Sequence, residues 1–129
     1  MAKKILLIDD DQKIIKLVES RLKANGYDVI SSKDGKAGIE KAKRESPDLI
    51  LLDIMMPEID GYQVIEMLKE EEDTKSIPVV MLTAKRDLED IDKSMNVFGA
   101  VGFISKPFSP AELLQQIKNA LVFFGKGKK

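Results

Sequence analysis

The sequence predicts an α/β domain: a parallel five-stranded sheet with helices on both faces. Three observations lead there. Short apolar runs alternate along the chain with segments of helical periodicity. Two of the runs, Ile5-Leu6-Leu7-Ile8 and Leu49-Ile50-Leu51-Leu52, are continuously apolar, the pattern of strands buried on both faces. Each of the two ends in an acid, Asp9 or Asp53, at the strand end where ligands collect in open α/β folds.

The first strand, Ile5 to Ile8, lies between Lys3-Lys4 and Asp9-Asp10-Asp11. Ile14, Val18 and Leu22 then repeat at helical spacing, with Ile15 alongside, until Asn25-Gly26 supplies a stop. Tyr27-Asp28-Val29-Ile30-Ser31 reads as a second strand, and Asp34-Gly35 opens a helix carrying Ile39 and Ala42 that Ser46-Pro47 ends. The third strand closes on Asp53. Asp60-Gly61-Tyr62-Gln63 has the acid and amide spacing of a capped helix start, with Val64, Ile65 and Leu68 as its apolar stripe. The run Glu70-Glu71-Glu72-Asp73 reads as a solvated helix end.

Pro78-Val79-Val80-Met81-Leu82 is the fourth strand and ends at Thr83-Ala84. A helix over about residues 87–97 should follow, with Leu88, Ile91 and Met95 on one side. Gly102-Phe103-Ile104-Ser105 is a short fifth strand running into Lys106-Pro107. Ser109-Pro110-Ala111-Glu112 joins a capping spacing to a proline at the first helical position, and Leu113, Leu114, Ile117 and Leu121 form the stripe of the last helix. One domain over residues 1–124 and a frayed basic tail over 125–129 are expected.

A chain of 129 residues suits one domain with its own core. Lys and Arg number 21 against 22 Asp and Glu, so a net charge of -1 gives no general attraction to nucleic acid or to an anionic membrane. Cysteine is absent, which excludes disulfides, thiolate chemistry and sulfur-ligated zinc. Histidine is absent too, removing the commonest general base and any phosphohistidine on the chain itself. The start turns polar at Asp9, too soon for a signal peptide, and no apolar run approaches the roughly 20 residues of a membrane span, so a cytoplasmic protein is expected.

The chemistry left is that of carboxylates, lysine and hydroxyls, and it sits at four predicted strand ends: Asp9-Asp10, Asp53, Thr83 and Lys106. Taken singly, each has a plain structural reading: the three acids as a helix cap, Asp53 or Thr83 as a turn residue, Lys106 as a loop lysine. Alternation does not fix strand order. With the order 2-1-3-4-5, the first and third strands are neighbours and their acids meet at the switch point of the topology. Crowded carboxylates raise one another's pKa unless a cation neutralises them, and an all-oxygen set favours magnesium. Such a site suits an anionic group carried by, or attacked by, Asp53.

Ile8-Asp9-Asp10-Asp11, Leu52-Asp53-Ile54-Met55-Met56-Pro57, Asp60-Gly61, Leu82-Thr83-Ala84 and Lys106-Pro107-Phe108 together resemble the motif set of response-regulator receiver domains, the phosphoacceptors of two-component signalling. The resemblance runs from about residue 3 to 121. It implies the flavodoxin-like strand order 2-1-3-4-5 and phosphorylation of Asp53 by a phosphohistidine on a histidine kinase or histidine phosphotransfer protein. Magnesium would be held by Asp10, Asp53 and the backbone carbonyl of Met55, with Asp9 acting largely through water. Lys106 would pair with one phosphoryl oxygen and Thr83 would move to bond another; Phe103, three before the lysine, takes the place of the switch aromatic. The Lys106-Pro107 peptide would be cis. An unidentified downstream protein would bind the face of the fourth helix, fifth strand and fifth helix, the chain being monomeric.

Two departures from the family pattern carry expectations. Val101-Gly102 stands where many receivers have two acids, and the last helix has no arginine, so contact through that face is expected to be apolar. Met55 and Lys85, two beyond Asp53 and Thr83, offer no carboxylate or amide to orient hydrolytic water, so slow loss of phosphate is expected. The alternatives are a receiver cut from a longer regulator and, from another class, a magnesium-dependent phosphohydrolase. The latter normally carries a second acid two residues after its nucleophile, where this chain has Met55.

Overall fold

Strands form where the apolar runs lie, and the computed structural model, which describes residues 2–83 and 92–124, shows five of them. They are β1 (Lys4–Ile8), β2 (Asp28–Ser32), β3 (Leu49–Asp53), β4 (Val79–Thr83) and β5 (Gly102–Ser105). All pair in parallel in the order β2-β1-β3-β4-β5. The expected order is therefore the observed one, and β1 and β3 are neighbours in register from Ile5 opposite Leu49 to Ile8 opposite Leu52.

Side chains alternate across the sheet and divide the core in two. Leu6, Ile8, Ile50, Leu52, Val79 and Met81 point to one side, where α2 (Gly35–Glu45) and α3 (Gly61–Glu70) cover them. Ile5, Leu7, Leu49, Leu51, Val80 and Leu82 point to the other, under α1 (Gln12–Ala24) and α5 (Pro110–Phe124). Every residue of β3 and β4 is buried, as a strand packed on both faces requires.

The caps foreseen in the sequence are in place. Asp11 accepts from the Lys13 N–H at the start of α1, and Asp34 accepts from Ala37 at α2. Asp60 and Gln63 close a reciprocal capping box at α3, and Ser109 with Glu112 does the same at α5. Ser46 ends α2 in the left-handed conformation.

The fourth helix departs from expectation. Leu88 and Ile91 lie outside the described residues; within them α4 is a π-helical stretch, Lys93–Val97, in which the Phe98 N–H reaches back five residues to the Lys93 carbonyl. Within this stretch Ser94 is buried, and Met95 is half-buried against the core. The proposed tail, 125–129, also lies outside the described residues.

Candidate functional site

Parallel pairing gathers the C-terminal ends of β1, β3, β4 and β5 along one edge of the sheet, and with them four of the predicted polar signals. Asp9 follows β1 and is fully buried. Its backbone N–H donates to the Ser32 carbonyl at 3.1 Å, and its Oδ1 accepts from the Asp11 N–H at 2.9 Å. The three consecutive acids thus divide their work: Asp11 caps α1, Asp9 turns inward, and Asp10 stays exposed at the rim.

Asp53 is 3% exposed at the end of β3, with Oδ1 accepting from the Met55 N–H at 3.3 Å. Its strand end is seated against α3. The Gly61 N–H donates to the Ile54 carbonyl at 2.9 Å, and a Cβ on Gly61 would stand 2.5 Å from the Asp53 carbonyl oxygen. Only glycine allows that approach. Asp60-Gly61 stands in the sequence both as a helix start and within the receiver-like motif set, but its closeness to the Asp53 backbone leaves no periodic signal.

Lys106 arrives from β5 on the cis Lys106-Pro107 peptide and places Nζ 2.9 Å from Asp9 Oδ2 and 3.4 Å from Asp53 Oδ1. Its own N–H donates to the Thr83 carbonyl at 2.6 Å, which fixes the end of β5 to the end of β4. Thr83 is buried at 3% exposure. Phe103 is half-buried and packs on the α2, α3 and α4 side. The Met55 side chain is 62% exposed. Lys85 lies outside the described residues.

Burial pushes the Asp53 carboxyl up to about 7, and the Asp9 charge adds to the rise, while the Lys106 charge and the Met55 N–H pull it back. Burial also opposes the charge on Lys106, but its hydrogen bond with Asp9 and the charges of Asp53 and Asp9 outweigh that and raise its pKa above the ordinary lysine value. Asp9, Asp10 and Asp53 each present an oxygen within 4.8 Å of the others, a group able to hold a metal ion. Asp9 Oδ2 is buried and faces the Lys106 ammonium at 2.9 Å.

The family profile for the response regulator receiver domain matches residues 5–118. The chain belongs to this family. The receiver is 42% identical over 122 residues to the alkaline phosphatase synthesis transcriptional regulatory protein PhoP of Bacillus subtilis, covering 94% of this chain and 49% of that one. It thus spans about half the length of the curated relatives it matches. Among solved structures, the chemotaxis protein CheY4 of Vibrio cholerae superimposes with a TM-score of 0.87 at 29% identity, covering 92% of this receiver and 98% of that chain. The receiver domain of sensor histidine kinase PA1611 from Pseudomonas aeruginosa, which has a magnesium ion coordinated in its active site cleft, gives a TM-score of 0.83 at 28% identity over 92% of this chain and 97% of that one. The fold is therefore flavodoxin-like, and the domain is a signalling one. Among the described residues, no helix is long and apolar enough to cross a membrane.

Proposed function

We propose that this receiver is the phosphoacceptor of a two-component or phosphorelay system, with Asp53 taking a phosphoryl group from a phosphohistidine on a partner kinase or phosphotransfer protein. The observation that carries the reading is a buried Asp53 carboxyl with the Lys106 ammonium 3.4 Å away and a second buried acid, Asp9, on that same ammonium.

Magnesium fits the donor set, because three carboxylates converge with one lysine to offset them and Asp53 is pushed up to about 7 in its absence. Asp10, Asp53 and the Met55 carbonyl would hold it, with Asp9 acting largely through water. When bound, it supplies positive charge at the phosphoryl oxygens. The magnesium-bearing PA1611 receiver supports the assignment.

The remaining steps belong to the chain. Ionised Asp53 attacks phosphorus in line; an O–P bond forms as the P–N bond to the imidazole breaks, the electron pair stays with the ring nitrogen, and an acyl phosphate is left on Asp53. Lys106 gives up its contact with Asp53 Oδ1 for one with a phosphoryl oxygen, and the Thr83 hydroxyl donates to another. Closure of these two groups favours one conformation of the α4, β5 and α5 face, where Phe103 packs inward, and a downstream protein reads that face. The receiver's net charge of -1 gives no general attraction to nucleic acid or an anionic membrane, and we assign it to the cytoplasm as a monomer.

Incubation with acetyl phosphate and magnesium followed by intact mass tests the reading. Wild type should gain one phosphoryl group and Asp53→Asn none; a gain in both would overturn it.

A further inference from the structure

Ser105 sits one residue before Lys106 and is 6% exposed, yet its side-chain oxygen is shielded from solvent and has no hydrogen-bond partner among the described residues. A buried hydroxyl without a partner costs stability, and such groups are rare enough to need a reason. Its neighbour supplies one. Thr83 on β4 is the register partner of Ser105 on β5. Neighbouring strands lie about 4.8 Å apart, and residues paired in parallel register project from the same face. Met81 and Phe103, the pair one period earlier, both pack on the α2, α3 and α4 side, so Thr83 and Ser105 share that side. The Lys106 N–H to Thr83 carbonyl bond holds the two strand ends together at this point.

We infer that Ser105 is a positioning residue of the phosphoryl switch: its hydroxyl donates to the Thr83 hydroxyl when Thr83 directs its own proton to a phosphoryl oxygen on Asp53. The inference rests on the receiver chemistry proposed above. A hydroxyl has one proton and two acceptor lone pairs, so a threonine that donates to phosphate still accepts. Hydroxyls in series polarise one another and strengthen the terminal bond. The penalty at Ser105 is then present in the free state and relieved in the engaged one. Only such a difference between states shifts a population.

The test is thermal unfolding and titration with beryllium fluoride plus magnesium, a stand-in for a phosphoryl group on aspartate. Wild type should gain stability. Ser105→Ala should leave the free protein as stable as wild type or more so, while weakening apparent beryllium fluoride affinity about fivefold, one hydrogen bond's worth. Ser105→Thr, which keeps the hydroxyl, should stay within about twofold of wild type, as a hydrogen bond retained implies. Equal affinity for Ser105→Ala and wild type would overturn the inference, as would destabilisation of the free protein by Ser105→Ala with affinity unchanged. A wild type that gains no stability would overturn the receiver chemistry of Asp53 and this inference with it.

Discussion

Lys106 Nζ lies 2.9 Å from Asp9 Oδ2, so the fully buried acid after β1 is neutralised by a charge delivered from the end of β5. Lys106→Met would leave Asp9 buried with no counter-charge. Breaking a buried pair from one side costs about 3 kcal/mol. Urea unfolding at pH 8 without metal should show a loss of that order, and Asp9→Asn in the same background should recover much of it. No recovery would mean that the lysine stabilises the fold through its alkyl packing.

The raised pKa of Asp53 sets a pH dependence. The folded carboxyl titrates at about 7 against 3.8 for the free group, so its contribution is fully present below about 4 and is lost as pH rises to 7. Metal-free stability should therefore fall across that window. Asp53→Asn should flatten the profile and stabilise the protein at pH 8 by about 2 kcal/mol, less than the full shift implies because water and relaxation soften the penalty. Magnesium should tighten with rising pH over the same range, since it binds the ionised carboxylate. Parallel pH profiles for wild type and Asp53→Asn would refute this.

Gly61 has no room for a side chain. With the Asp53 carbonyl oxygen 2.5 Å and the Ile54 Cα 2.7 Å from its would-be Cβ, Gly61→Ala must displace the end of β3. Backbone is on the receiving side, so the cost should exceed about 2 kcal/mol. Magnesium affinity should drop as well, and unchanged affinity by titration would show that Asp53 does not move with its loop.

Met55 projects into solvent beside the acid cluster with no group to orient water. Loss of phosphate should be slow in wild type and about tenfold faster in Met55→Asn, a modest share of what a positioned polar group can contribute. Intact mass followed over time after removal of acetyl phosphate gives both rates.

The sheet and most of the site were legible in the sequence because β3 and β1 are buried on both faces, and the polar residue ending each stands out against an unbroken apolar run. The Asp60 and Ser109 caps were legible for a similar reason: their partners lie three residues away. The Lys106 contact with Asp9 was not, since residues 97 apart in sequence share no local pattern. The π-helical form of α4 was hidden too, because Met95 satisfies an α spacing whether or not the backbone keeps it. Ser105 read only as the last residue of a strand.

The π-helical turn gives α4 one residue more than an α-helical turn would hold. A bond spanning five residues, Phe98 to Lys93, encloses one residue more than the bond spanning four that an α-helix would make. Removal of a single residue within Lys93–Val97 should therefore allow an ordinary helical turn to close ahead of β5. Most deletions inside a helix rotate everything beyond them by about 100°. Here the surplus residue should make this segment more tolerant of a one-residue deletion than an α-helical turn would be.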